Sequence, residues 1–228
     1  MKKLLFLSGC LVTLLSACNK EDSVDVNQDK IYCDYELFYN ENEDKTHAVA
    51  RFRFGGPTGT ILELTDSTGA NVRYNEDLLT YNSWYRGHHK EFAGRVEGGT
   101  FTYTNTEGTV FINEVPLGEV IAFPDDFDTI QKSIAETLVW EGSVLNENQH
   151  VGLFVGSWSW GDDALFVQTT DGASDIVMGV SQKDDLELGT STVYMDRSTA
   201  LDIAEGTSEG GRIRYRYRCE NAVVTVVE

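Results

Sequence analysis

Basic residues are scarce in this 228-residue chain. Lysine and arginine number 18 against 37 aspartates and glutamates, so the formal net charge at pH 7 is −19. A surface with this charge repels phosphate backbones and anionic lipid headgroups. The composition therefore predicts no nucleic-acid partner, and no membrane binding beyond a covalent lipid.

Catalytic signatures are also absent. The chain has no HExxH, no glycine-rich phosphate loop, no Gly-x-Ser-x-Gly and no paired CxxC. These spacings mark metallopeptidases, P-loop enzymes, serine hydrolases and zinc or redox centres. Only four histidines are present. The sequence thus predicts a protein that is not an enzyme and that uses no cofactor.

No apolar run reaches the length of about 20 residues that a membrane span requires. The longest run, residues 4–15, follows Lys2 and Lys3 and precedes the small residues Ser16 and Ala17. A cationic start, a short apolar segment and a small-residue end are the three parts of a secretion signal. Residues 1–17 are therefore predicted to be a signal peptide.

The residues at the end of this segment, Leu15-Ser16-Ala17-Cys18, resemble the lipobox of bacterial lipoproteins. The resemblance implies that Cys18 is acylated and becomes the first residue, with membrane lipid as its partner. Acyl chains hold firmly because each buried methylene contributes about 0.8 kcal/mol. The alternative is an ordinary cleaved signal with an incidental cysteine.

The polar residues after Cys18 begin with Asn19-Lys20-Glu21-Asp22. They resemble the export signal of surface lipoproteins of the Bacteroidota type, which implies an outer-membrane location facing the cell exterior. Residues 18–29 carry no aromatic side chain, so we predict a disordered tether after the lipid.

The rest of the chain repeats its own pattern. Pro116 and Pro124 bracket a short segment, and five sequence features recur in the same order on either side of it. Inside each copy apolar and polar residues alternate with a period of two, and Gly, Asn and Asp mark the turns. This pattern is typical of antiparallel strands in an immunoglobulin-like sandwich.

We therefore predict an all-β fold of two tandem immunoglobulin-like antiparallel β-sandwich modules, residues 30–116 and 129–228, with a linker at 117–128. From Cys18 onward the chain resembles two-module surface lipoproteins of the Bacteroidota. At the local level, residues 213–218 and 223–227 are predicted to form a hairpin with its turn at Glu220-Asn221. Residues 198–204 are predicted to form one or two helical turns.

Cys33 and Cys219 are the thiols that remain after processing, and an exported protein with two cysteines suggests a disulfide. Closing so long a loop would contribute about 4 to 5 kcal/mol in the entropy model. Modules arranged end to end would place the two residues too far apart for the Cα separation of about 4.4 to 6.8 Å that a bridge needs. Two alternatives remain, namely side-by-side modules with a bridge, or two buried thiols.

Three groups of residues are candidates for binding. A locally basic and aromatic stretch suggests a recognition loop for a carboxylate or a metal, against a plain solvated loop. Two tryptophans beside two acids suggest a platform for sugar rings, against one core tryptophan and one edge tryptophan. A cluster of linker acids suggests a weak calcium site, against solubilising charge. The three groups are Trp84, Tyr85, His88 and His89; Trp158, Trp160, Asp162 and Asp163; and Asp125, Asp126 and Asp128.

These observations favour one class of function. We expect a non-enzymatic, lipid-anchored outer-membrane surface protein that acts as a binding or accessory module, with glycan as the candidate ligand. The alternative is an envelope structural, adhesive or inhibitory protein that binds another protein. Loops on rigid sandwiches suit either role.

Overall fold

The computed structural model describes residues 20–65, 69–156 and 162–228. Over these ranges the chain is all-β with several sheets, which confirms the predicted class and is consistent with a β-sandwich. Its helical segments there are three short 3-10 turns at Ser23–Asp25, Gln28–Lys30 and Val180–Gln182. None of the described helices has the length and apolar character needed to cross a bilayer.

The strands follow one another closely along the chain. Their bounds are β1 (Lys20–Asp22), β2 (Ile31–Asn40), β3 (Lys45–Phe54), β4 (Thr60–Glu63), β5 (Asn71–Tyr74), β6 (Asp77–Leu78), β7 (Thr80–Asn82), β8 (Gly87–Ala93), β9 (Thr100–Thr104), β10 (Val110–Glu114), β11 (Thr129–Gln131), β12 (Glu136–Val139), β13 (Gln149–Val155), β14 (Ala164–Gln168), β15 (Asp175–Met178), β16 (Gly189–Asp202), β17 (Gly211–Arg218) and β18 (Ala222–Val227).

The largest sheet contains strands from both halves of the chain. Its main path runs β1-β4-β3-β2-β17-β16-β13-β14, with β8 also paired to β3 and β18 also paired to β16. The halves meet where β2 and β17 pair in parallel, from Cys33 opposite Gly211 to Asn40 opposite Arg218. Gly211 permits this approach, because a Cβ there would lie 2.1 Å from the Cys33 carbonyl oxygen.

Two smaller sheets cover one face of the large one. The sheet β10-β9-β5-β6 comes from the first half, and the pair β12-β15 comes from the second. Aromatic rings fill the space between layers: Tyr35 stacks on Phe101 with ring centroids 5.0 Å apart, and Phe52 packs on Tyr103 at 4.5 Å. Buried side chains of both halves form one hydrophobic cluster. The division into modules at 117–128 remains a prediction.

The other face of the large sheet is charged, and its side chains range from buried to exposed. On β17 the side chains of Ile213, Tyr215 and Tyr217 are buried in the core, and the intervening arginines lie on the opposite face. This alternation is what a strand with one buried face requires. On β2, however, both faces are buried, since Asp34 is 5% exposed and Glu36 is 4% exposed.

Three local expectations are wrong. Residues 20–29 are not a disordered tether, because β1 pairs in parallel with β4 and the side chains of Ser23 and Gln28 are buried. Residues 198–202 belong to β16, because their pairing with β17 overrides a short helical tendency. The predicted hairpin is also absent, since β17 and β18 pair with different parts of β16. Neither Glu220 nor Asn221 has the positive φ that a two-residue hairpin turn demands, so no such turn joins β17 to β18.

The cysteines are buried free thiols. The two strands do lie side by side, but their parallel register places Cys33 opposite Gly211 and Cys219 just beyond the far end of β17. Eight residues of strand at about 3.3 Å each separate the two positions by roughly 26 Å. This separation is far larger than the Cα distance of about 4.4 to 6.8 Å that a disulfide needs, so it excludes the Cys33–Cys219 bridge. Strands that lie side by side do not bring the two cysteines together, because the register sets them at opposite ends.

Candidate functional site

A row of arginines on β17 crosses the open face of the large sheet. Arg212, Arg214, Arg216 and Arg218 alternate along the strand, each with its side chain on that face. The neighbouring strand β2 places acids opposite the first two arginines, and β16 places an acid opposite the last. The row therefore lies between carboxylates on both sides.

Glu36 is the centre of this network. Its carboxylate contacts Arg51 at 3.0 Å, the Nε atom of Arg214 at 3.2 Å and the Nε atom of Arg216 at 3.1 Å. Burial alone would raise the pKa of Glu36, but the guanidiniums of Arg216, Arg214 and Arg51 outweigh it and lower the pKa to about 2. Glu36 is thus ionised at every physiological pH.

Two more carboxylates complete the network. Asp34 pairs with Arg212 through two hydrogen bonds of 3.0 Å, and Asp196 pairs with Arg218 and with Arg216. Together with Arg51 and Arg214 the network holds five guanidiniums and three carboxylates, a formal net charge of +2. The groups thus form a positively charged patch in a protein whose net charge is −19.

A groove of about 480 Å³ opens over this patch. We call it the arginine groove. One wall is charged, and the other carries the aliphatic side chains of Leu165 and Val167, which are 61% and 56% exposed. A Cβ added at Gly152 would meet no atom within 4 Å, so the missing side chain keeps the floor open. The lining residues are Glu36, Arg51, His150, Gly152, Leu165, Val167, Asp196, Ser198, Arg214 and Arg216.

His150 adds a neutral polar group to the groove. Burial lowers its pKa, and the positive charges of Arg214 and Arg216 lower it further, although Asp196 acts in the opposite direction. The imidazole is therefore uncharged near pH 7, with one nitrogen as donor and the other as acceptor. Such a group suits hydroxyl and carbonyl partners.

Of the predicted basic and aromatic stretch, the tryptophan and tyrosine lie in a turn and the histidines lie on β8. His88 faces the core, where its Nε2 accepts a hydrogen bond of 3.1 Å from the Leu64 amide. His89 faces the open side and lies 3.1 Å from His47, between ring nitrogens. The expectation of a solvated loop is therefore wrong for the histidines, because strand pairing with β3 fixes both.

The ring of Tyr85 covers His89 with ring centroids 3.9 Å apart. Burial, the neighbouring His47 and the charge of Arg51 lower the pKa of His89 to about 4. Burial also lowers the pKa of His47, so both imidazoles are neutral near pH 7 and bonded to each other. Trp84, which precedes Tyr85 in the turn, is 93% exposed.

The predicted sugar platform lies partly outside the described residues. Trp158, Trp160 and Cys18 are not among the residues that the structure describes. Asp162 lines a separate cavity of about 380 Å³ together with Tyr194, and Asp163 is half-buried. Tyr194 precedes Asp196 on the same face of β16, so this cavity also opens on the arginine-bearing side of the sheet.

The linker acids do not form a calcium site. Asp125 and Asp126 point into two different cavities, and Asp128 accepts a hydrogen bond of 2.9 Å from the Thr129 hydroxyl. In residues 20–65, 69–156 and 162–228, no group of three or more histidine, cysteine or acidic side chains is arranged to hold a metal ion. His88 and His89 on β8 are therefore not part of a metal-binding group of this kind.

Sequence reasoning missed the arginine groove. Its charged residues come from β2, β3, β16 and β17, which are far apart in the sequence, so no local spacing reveals them. One signal was visible: the run 212–218 has arginine at every second position, which is unusual in a chain with 18 basic residues. Comparison of the chain with protein-family models, with curated proteins and with solved structures finds no match.

Proposed function

We propose that this protein is a non-enzymatic binding protein, held by acylated Cys18 on the outer face of the outer membrane, that captures a glycan in the arginine groove. The observation that carries the proposal is the groove itself: a positively charged, partly apolar cleft on the open face of an otherwise acidic protein. We also propose that each half is an immunoglobulin-like module, with the two joined through β2 and β17.

The state of the charged groups favours binding over catalysis. The Glu36 carboxylate has a pKa of about 2 and contacts three guanidiniums, so it exchanges no proton near pH 7. An acid or base catalyst needs a pKa close to the working pH. A fixed array of guanidinium donors is suited to hold anionic and hydroxyl groups.

The anchor is tested by Cys18→Ser. We expect the variant to lose its acyl label and to appear in the soluble fraction, because residues 4–15 are too short an apolar run to hold the chain in a bilayer. Labelling with a palmitate analogue and fractionation of cells measure both effects. A variant that still labels and sediments with membranes would contradict the lipobox interpretation. Protease added to intact cells should degrade the wild-type chain if it faces outward.

The groove is tested by Gly152→Leu. A Cβ at this position meets no atom within 4 Å, and the rest of the leucine side chain would extend into the groove, so we expect it to fill the cavity and to weaken glycan binding at least tenfold. A glycan array finds the ligand, and titration of the variant measures the loss. The matched control is Ala93→Leu, which adds the same side chain at an exposed position near the end of β8.

Thermal melts should show both variants to be folded. Binding lost in Gly152→Leu and retained in Ala93→Leu supports the proposal. If the array is blank, or if filling the groove leaves glycan binding unchanged, the proposal is wrong and a protein partner becomes the leading alternative. The exposed Leu165 and Val167 would then be the first surface to examine.

A further inference from the structure

The arginines of the groove have donors to spare. A guanidinium carries five N–H groups. The buried Nε of Arg214 faces Glu36 at 3.2 Å, and its terminal Nη2 lies 3.7 Å from Asp34, beyond hydrogen-bond distance, so the terminal N–H groups are the donors that remain for a ligand. Arg216 makes one hydrogen bond, at 3.3 Å to Asp196. Its guanidinium is held 3.8 Å over the ring of Phe38. These groups are fixed in place before any ligand arrives.

The amount of charge limits the kind of anion. The network has a formal net charge of +2, and the whole chain has one of −19. A densely charged polyanion would therefore be repelled by the rest of the protein once it extended beyond the patch. A ligand with isolated carboxylates avoids that repulsion. The planar guanidinium fork also matches a carboxylate in geometry, through two parallel hydrogen bonds.

The groove has an apolar wall as well. Leu165 and Val167 lie on β14, on the opposite side of Gly152 from the arginines. From β14 the sheet runs through β13, β16, β17 and β2 to β3, which is five strand intervals. At about 4.8 Å per interval this surface is roughly 24 Å wide. It can therefore contact several sugar units of a chain that crosses the strands.

An exposed aromatic residue lies at the β3 side of this surface. The Nε atom of Arg51, a groove residue, donates a hydrogen bond of 3.0 Å to the carbonyl of Tyr85, next to Trp84. The turn is fixed by bonds from the Arg86 amide to Ser83 and from the Trp84 amide to Asn82. Arg86 has a φ of 50°, a conformation that non-glycine residues keep only when their surroundings impose it. The indole is thus presented to solvent by a rigid turn.

We infer that the ligand is a carboxylated oligosaccharide that crosses the strands, with its acid groups on Arg214 and Arg216 and a further sugar ring on Trp84. This inference rests on the proposed function and specifies the class of glycan. The aliphatic wall receives the C–H faces of the sugar nearest β14, and neutral His150 bonds to its hydroxyls. Trp84 acts only on ligands long enough to reach it.

The test uses the Cys18→Ser chain and hexasaccharides of galacturonate, mannuronate and sialic acid, each as free acid and as methyl ester. Calorimetric titration should show that at least one free acid binds at least tenfold more tightly than its ester. Arg214→Lys keeps the charge but loses the fork, and it should weaken binding of the acid about tenfold without affecting the ester. Dimers of the same acid should bind at least tenfold more weakly than hexamers.

Trp84→Ala separates the second contact from the first. It should lower the affinity for the hexamer about tenfold and leave the affinity for the dimer unchanged. Leu117→Ala is the matched control, because Leu117 is 78% exposed and lies outside the groove. Equal loss for dimer and hexamer, or no loss for either, would overturn the role of Trp84.

The remaining outcomes distinguish this inference from the proposed function. If acids and esters bind alike and Gly152→Leu abolishes both, the groove is a glycan site but its ligand is not selected by carboxylates. If dextran sulfate displaces the bound sugar acid as well as a second sugar acid does, and Arg214→Lys has no effect, the site recognises negative charge alone and the inference is wrong. If no sugar on the array binds, the proposed function itself fails.

Discussion

Replacement of Glu36 by glutamine is expected to lower the free energy of unfolding by about 3 to 5 kcal/mol, the range for removing one partner of a buried ion pair. The side chain is almost fully buried and contacts the guanidiniums of Arg51, Arg214 and Arg216. Glutamine keeps the shape of the side chain but not its charge, so three cations would surround a neutral amide. Urea unfolding of the two chains measures the loss.

The same carboxylate makes stability depend on acid. An ordinary glutamate has a pKa of 4.5, and Glu36 has a pKa of about 2 because the arginines outweigh its burial. When folding depresses the pKa of an acid, the stabilisation is complete above the unfolded-state value and disappears as the pH falls through the folded-state value. The window is therefore from about pH 4.5 down to about pH 2, and the difference corresponds to about 3 kcal/mol.

Glu36→Gln should remove this part of the pH dependence, so its stability should fall less steeply than that of the wild type between these pH values. The control is Glu147→Gln, at an exposed position, which should change stability by less than about 0.5 kcal/mol. A Glu36→Gln chain with unchanged stability and an unchanged pH slope would mean that the arginines do not depend on this carboxylate.

The sequence predicted the parts of the fold that depend on local pattern. Alternation along 212–218 gave a strand with one core face, and the structure has it in β17. Glycines were expected to mark turns between strands, and Gly108, with a φ of 79°, turns the chain between β9 and β10, which pair as an antiparallel hairpin. In each case the residues that determine the structure are close together in the sequence.

Long-range pairing was not predictable in this way. The parallel contact between β2 and β17 joins residues about 180 positions apart, and no turn residue or spacing encodes it. The errors at Glu220-Asn221 and at residues 198–204 share this cause, because β16 pairs with β17, β18 and β13 and its partners decide its form. Tertiary pairing commonly overrides weak local preferences of this kind.

The candidate site shows the same division. Trp84 was found from the sequence because a basic, aromatic stretch stands out in an acidic chain, and it is the most exposed of the large hydrophobic side chains described. Glu36 could not be found, since a glutamate within a strand normally indicates a solvent face. Only the neighbouring strands reveal that arginines cover it and that it fixes their positions.

A second large effect is expected at Lys183, whose side chain is 0% exposed. Its ammonium donates hydrogen bonds to the carbonyls of Gln131 and Ile134 and pairs with Glu136 at 2.9 Å. Three protons thus meet three acceptors, and they tie the 3-10 turn at Val180–Gln182 to the segment between β11 and β12. Lys183→Met removes all three contacts. It leaves the two carbonyls unsatisfied and the Glu136 carboxylate with the Gln131 amide but no cation, so we expect a loss of about 3 to 5 kcal/mol.

Two further variants identify the cause of that loss. Lys30→Met removes an exposed lysine that also pairs with one glutamate, Glu209 at 2.8 Å, and it should cost less than about 1 kcal/mol. In the double variant Lys183→Met with Glu136→Gln no charge is left without its partner, and the side-chain oxygen can still accept from the Gln131 amide, so part of the loss should be regained. If the double variant is less stable than Lys183→Met alone, the cost arises from packing around the lysine stem rather than from the ammonium and its acceptors. Urea unfolding of the four chains decides between these outcomes.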